Sequence, residues 1–407
     1  MPMVQGWKET MTLRKFLISL LVVAATSGFA FGQTLQVWTT YEGLSLEWLR
    51  GEAEAFTAGF GVPVNVVQIA SGDMEAAIFR GAPQGEAADV FHGVFHDWVG
   101  NLATAGVLAD MSSYATPAYL ADLAEQARLA FTYAGRLFAL PINVEGPALF
   151  VNTDLVATLP QTYEELIATA QALTTADTFG YMIEADNFYY AYVYLRTFGG
   201  AVFGRDADGN LNPNDVQLAN EGAVRGAQAL HDLRYRYDLL PSGAGYDVAN
   251  GLFIDGQLGM FYTGPWETAN YVNAGLNFVV MPIPPLADGT EFGGFMGVQG
   301  AAVNQFSNNK VDAANFAKWI TRADAQLSLA RTTSRIPASM AAVAQVADDP
   351  AIAGFGLALQ TAEPMPNIPK MGQVWGPAAN ALTVIMDDPN PDIAAILQQA
   401  VNEILDN

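Results

Sequence analysis

The chain has 407 residues, of which 51% are apolar and only 14% charged; that allows a large packed core and two or three domains of roughly 100–200 residues each. Its formal charge of −23 comes from scattered acids, and such a polyanion is repelled by nucleic acid and acidic lipid, so neither is an expected partner. With no cysteine and only His92, His96 and His231 to offer imidazole, disulfides, thiolate nucleophiles, iron–sulfur clusters and Cys-based zinc sites are excluded. His92 and His96 have the spacing of two ligands on a helix face. The residues between them, Gly93-Val94-Phe95, follow a strand and include no Glu of the H-E-x-x-H type, so neither a metal nor any other cofactor is expected.

At the N-terminus, Lys8, Arg14 and Lys15 precede an apolar run over 16–25, and Ala30-Phe31-Gly32 fits a cleavage site before Gln33. Basic, apolar, then small is the order of a secretory signal, expected over 1–32. Met11 offers an alternative start within it. The run is too short to anchor the chain in a bilayer. With no cysteine to carry a lipid, the reading is a free periplasmic protein of residues 33–407.

Next come a strand over 34–39, a turn over 40–43, a helix over 44–58 and a second strand over 61–68. A helix over 73–80 and a third strand over 88–91 follow. Strands alternating with helices indicate βαβ units, an α/β class and a parallel sheet. Helical patterns recur over 163–174, 220–239 and 251–255, with an unusually aromatic stretch over 188–198 and a strand over 278–282. Pro282, Pro284 and Pro285, then Gly293, Gly294, Gly297 and Gly300, read as a connection that returns the chain to its first half. Helices are expected over 310–321, 324–332, 339–347 and 391–405.

The chemistry-bearing residues are aromatics beside carboxylates and amides in expected loops. A sugar presents an apolar C–H face and a rim of hydroxyls, so its binder needs flat rings for the one and charged acceptors for the other. Trp266 follows Gly264-Pro265, Trp375 follows a proline-rich stretch, Tyr189 and Tyr190 neighbour Asp186 and Asn187, and Glu145 ends a strand. Asp97-Trp98 lies just past the third strand, where ligands of open α/β sheets gather. Each has a plainer reading. A Trp in such a turn is more often a core anchor than a platform, the tyrosines suit a packed helix face, Glu145 suits a helix cap equally well, and His96 suits a polar surface.

The sequences MPNIPKM at 365–371 leading to Trp375, GPW at 264–266, LPINVEGPALFVNTD at 140–154 and GVLADMSSY at 106–114 resemble the maltose/maltodextrin-binding proteins. These are members of the extracellular solute-binding family served by ABC importers, and the likeness runs in order through the whole expected mature chain. It implies a two-lobed periplasmic-binding-protein fold of class II type, each lobe a mostly parallel sheet flanked by helices, joined by hinge crossovers. The first lobe would be 33–143 plus 292–345 and the second 144–291 plus 346–407. It also implies a non-catalytic monomer that carries a small α-glucoside (maltose, maltodextrin, trehalose or sucrose type) to the importer's membrane subunits. Trp266, Trp375 and Tyr189 would stack on sugar faces. Thr40, Glu42, His96, Asp97, Glu145 and Asp186 or Asn187 would complete the site. Gly43, Gly93, Trp98, Gly376 and Ala379 stand where the family often has Lys, Trp, Arg, an aromatic residue and Arg; these losses count against long maltodextrins. Two rival readings are a ferric-ion binder using Tyr189-Tyr190 and a glycoside hydrolase using Glu145 and Asp97, although nothing in the sequence marks either acid as one kept neutral.

Overall fold

The computed structural model describes residues 34–406; the expected signal over 1–32 lies outside them. The first strand, Leu35–Thr39, buries alternate residues. Helix Gly43–Phe60 follows and presents Trp48, Leu49, Ala53 and Phe56 to the interior, the spacing of one helical face. Strand Val64–Gln68, helix Ser71–Gly81 and strand Val90–Phe95 complete two βαβ units. Strand Leu35–Thr39 pairs in parallel with both of the others.

Parallel pairing largely stops there. Strand Phe295–Val303 runs antiparallel to Val90–Phe95 and to Ala139–Glu145, and the short Ile336–Pro337 pairs antiparallel with Ala139–Glu145. In the second sheet, ordered 278–281, 148–152, 258–263, 179–182, only the last pair is parallel. Both sheets are therefore mixed, which corrects the expectation of mostly parallel ones. The reason is connectivity: parallel neighbours need a crossover helix between them, whereas 295–303 enters the first sheet directly from the second lobe and 336–337 lies where the chain leaves for it again.

Two separate cores result. One gathers buried residues from 35 to 144 with 296–303, 313–329 and Ala338; the other gathers 148–295 with most of 342–404. The chain leaves the first core between Val144 and Ala148 and returns between Phe295 and Met296. It departs again near Ile336, which packs in the second core. Helix Ala323–Thr333 supplies Ala325 and Leu329 to one core and Leu327 and Ala330 to the other.

The segment over 293–300, read from its glycines as a connection, contains most of a nine-residue, wholly buried strand, Phe295–Val303. Glycine is there for close packing rather than for a turn: a Cβ on Gly300 would lie 2.7 Å from the Phe131 ring. Helix Trp375–Asp387 is not among the helices expected from the sequence; Pro377 falls in its first turn, where a missing N–H costs nothing. The helix expected over 339–347 shrinks to Met340–Val343. Among the described residues no helix is long and apolar enough to cross a membrane.

Candidate functional site

Between the two cores lies a cavity of about 770 Å³, within the usual range for small-molecule sites. One wall is made where strands end: Thr40, Glu42 and Ser45 after Leu35–Thr39, Asp97 and Trp98 after Val90–Phe95, and Glu145. Opposite stand Asn187 and Tyr189 at the start of helix Phe188–Thr197, Trp266 after strand Leu258–Thr263, and Trp375.

Five half-buried aromatic rings, Phe95, Trp98, Tyr189, Trp266 and Trp375, line this space, packed behind and open in front. Their orientations are fixed. The Trp266 indole N–H donates to the Tyr246 hydroxyl at 2.8 Å, and that hydroxyl donates to Glu267 at 2.7 Å. The Trp375 indole N–H donates to Asp97 Oδ2 at 3.1 Å, with its ring edge-on to Phe188. Trp98 packs edge-on to Phe95. The Tyr189 hydroxyl is buried without a hydrogen-bond partner, and a polar atom left unpaired in a cavity is one a ligand can satisfy.

The acids divide by environment. Asp97 is 5% exposed; burial, reinforced by the nearby Glu75 carboxylate, pushes it up to about 7. Glu75 is itself raised by burial, an effect that the amide of Asn101, donating at 2.9 Å, partly offsets. Glu145 is driven up by burial while Arg335, 2.9 Å away, draws it back. Glu267 accepts hydrogen bonds from Tyr246, Asn250 and Asn270. Arg335 is the one Lys or Arg among the described lining residues.

Of the ten residues singled out in the sequence, Thr40, Glu42, Asp97, Glu145, Asn187, Tyr189, Trp266 and Trp375 line the cavity; His96 and Asp186 do not. His96 is fully buried rather than at the surface. Its Nδ1 accepts from the Val298 N–H at 3.1 Å, leaving Nε2 to donate to the Met365 carbonyl at 2.9 Å. Burial lowers its pKa to about 4, so it is a neutral structural bridge to strand 295–303 and the 365 segment. Asp186 is exposed. Asn187 beside it caps helix Phe188–Thr197 through Oδ1, while its amide donates to Glu184. The tyrosine run splits, with Tyr192 and Tyr194 buried in the second core away from the cavity, while Tyr189 and the more deeply buried Tyr190 line it.

The sequence reading missed Glu75, Trp98, Glu267, Gln299 and Arg335 as lining residues. Trp98 had a legible signal, since it shares the turn with Asp97. The resemblance places a tryptophan at Gly93, and this chain has none there. Gly93 has φ +72°, and a Cβ there would collide with Thr40 Oγ1, so no aromatic residue fits. Asp97 is an acid that nothing in the sequence marked as kept neutral, and burial raises it to about 7. Among the described residues no group of three or more His, Asp or Glu could hold a metal ion.

Comparison with known proteins places this geometry. The galactooligosaccharide-binding protein of Bacillus subtilis (strain 168) is 30% identical over 373 residues, covering 87% of this chain and 85% of that protein. The maltotriose-binding protein of Pyrococcus abyssi (strain GE5 / Orsay) is 31% identical, covering 91% and 82%. Among solved structures, the Thermus thermophilus maltotriose-binding protein bound with maltotriose superposes with a TM-score of 0.88 at 41% identity, over 91% of this chain and 99% of that one. A model of the bacterial extracellular solute-binding proteins matches residues 53–354. With its two-lobed periplasmic-binding fold and a cavity between the lobes, the chain belongs to that family.

Proposed function

We propose that this protein binds a small α-glucoside oligosaccharide, of maltose to maltotriose size, and delivers it to the membrane subunits of an ABC importer without altering it. The observation that carries this reading is the set of half-buried aromatic rings around one cavity that also holds Asp97 and Glu145. Rings cover the apolar faces of glucosyl units, and carboxylates accept from their hydroxyls. The maltotriose-binding relative and the maltotriose-bound neighbour support the same ligand class. The protein acts as a monomer in the periplasm after cleavage before Gln33. Its two lobes, one built on the core of 35–144 with 296–303, 313–329 and Ala338 and the other on the core of 148–295 with most of 342–404, close on the sugar.

A panel titration with maltose, maltotriose, trehalose, sucrose and a galactooligosaccharide, read by melting temperature and calorimetry, tests the reading. A shift with the glucosides is expected; no response to any of the five would sink it. The raised pKa of Asp97 gives hydrolysis one of the acids it needs. The second acid, Glu145, has one oxygen occupied by Arg335 and Asn143, which weakens it as a nucleophile or base. Release of glucose from maltotriose would restore that reading.

A further inference from the structure

One residue in the cleft belongs to neither the stacking platforms nor the acids. Arg335 is 7% exposed, and its guanidinium reaches Glu145 Oε2 at 2.9 Å, Gln299 Oε1 at 3.4 Å and Ser45 Oγ at 3.3 Å, lying over the Tyr41 ring at 4.7 Å. Asn143 donates to the same Glu145 oxygen at 3.2 Å and receives the Tyr41 hydroxyl at 2.5 Å. The supports of Glu145 are thus themselves held. The three charged or amide groups also sit on the three stretches by which the chain passes between its cores. Glu145 ends strand Ala139–Glu145, Gln299 lies in strand Phe295–Val303, and Arg335 directly precedes Ile336–Pro337. These strands are neighbours, with Gln299 opposite Asn143 and Ile336 opposite Val144.

We propose that Arg335 is the positioning residue of the site: it holds Glu145 ionised and aimed into the cavity, and it ties the three interlobe segments together. This rests on the reading of the cleft as an oligosaccharide site. With Oε2 taken by Arg335 and Asn143, Oε1 is left for a ligand hydroxyl. A bidentate-capable, planar cation suits such a task better than a lysine, which cannot reach Glu145, Gln299 and Ser45 at once. The other ionisable groups facing the cluster stay neutral between about pH 5 and pH 8. Burial lowers His92 to about 3 and raises Tyr41 and Tyr189 above their ordinary range.

The test uses Arg335→Met, Arg335→Lys, Glu145→Gln and the Arg335→Met/Glu145→Gln pair. Melting curves of the unliganded proteins and titrations with maltotriose are taken at both ends of that pH range. Without Arg335, Glu145 is a buried acid that folding protonates, so Arg335→Met should lose melting temperature toward high pH relative to wild type, and the paired variant should lose that dependence. Maltotriose affinity should fall roughly tenfold to a hundredfold in Arg335→Met. The paired variant should bind no more weakly than Glu145→Gln alone, because Arg335 acts through Glu145. Arg335→Lys should keep the wild-type pH profile with an intermediate affinity, and it carries the test if the Met variant does not fold. Wild-type affinity in either variant overturns the proposal, as does a paired variant much weaker than Glu145→Gln. If the wild type responds to none of the five sugars, the oligosaccharide reading fails while the melting profiles still decide what Arg335 does to Glu145.

Discussion

Replacing Trp375 with Ala removes two things at once: a half-buried ring on the cavity wall and the indole N–H that reaches Asp97 Oδ2 at 3.1 Å. The ring effect dominates affinity. A platform of this size covering one sugar face contributes about 1–3 kcal/mol, or roughly tenfold to a hundredfold in Kd. The lost donor acts on pH dependence instead. Asp97 already stands at about 7 through burial and the nearby Glu75, and the Trp375 hydrogen bond is among the influences pulling it down. Without that bond, Asp97 rises further and more of it is neutral at pH 7. Trp375→Phe separates the contributions, since it keeps a platform and removes only the donor. Calorimetric titration with maltotriose across pH should give Ala a large loss at every pH. Phe should show a small loss at about pH 9 that widens toward neutrality. Equal affinities in wild type and Trp375→Ala, or loss of the fold in that variant, would show that the ring packs rather than binds.

Affinity of the wild type should fall as pH drops through about 7, because sugar hydroxyls donate to the ionised form of Asp97; the slope is at most about tenfold per pH unit, and Asp97→Asn should flatten it. Asp97 also affects stability with a definite sign. Its folded pKa exceeds that of an unfolded aspartate, so it makes the unliganded fold less stable as pH rises to about 7, and Asp97→Asn should raise the melting temperature there. Glu145→Gln should weaken binding and also destabilise the unliganded fold by about 3 kcal/mol, lowering its melting temperature, because it leaves the buried Arg335 without its counter-charge; an unchanged melting curve would refute the buried pair. His96→Ala should cost stability by leaving the Val298 N–H and Met365 carbonyl unpaired, and normal melting with lost binding would instead make His96 a ligand contact.

The residues that sequence made legible are those whose chemistry sits beside a recognisable local pattern. Asp97 follows a strand, Trp266 follows a Gly-Pro turn, and Asn187 precedes an aromatic helix; all three line the cavity. What stayed hidden depends on distance along the chain. Arg335 is one of 18 Lys and Arg residues in 407, and nothing near it announces that residues 190 and 36 positions away will close around it. Strand Phe295–Val303 was hidden differently. Its glycines look like a linker, and only the ring of Phe131 and the backbone of Leu140 explain why no side chain is allowed. His96 was misread for a related reason, since its two partners are backbone groups more than 200 residues away.

These long-range contacts bear on how the cleft treats its ligand. Asp97 and Glu145 would serve a sugar in the same way, yet the fold gives only one of them a cation. Arg335 opposes the burial that raises Glu145, whereas Asp97 has Glu75 nearby to raise it further. A ligand bridging both is therefore held by one acceptor that mild acid leaves in place and one that it neutralises. Acidification should loosen such a ligand without expelling it, and the loss should level off once Asp97 is protonated. Glu145 and Asp97 also differ in where they are tied: Glu145 ends a strand that joins the lobes, whereas Asp97 is tied across the cleft through Trp375.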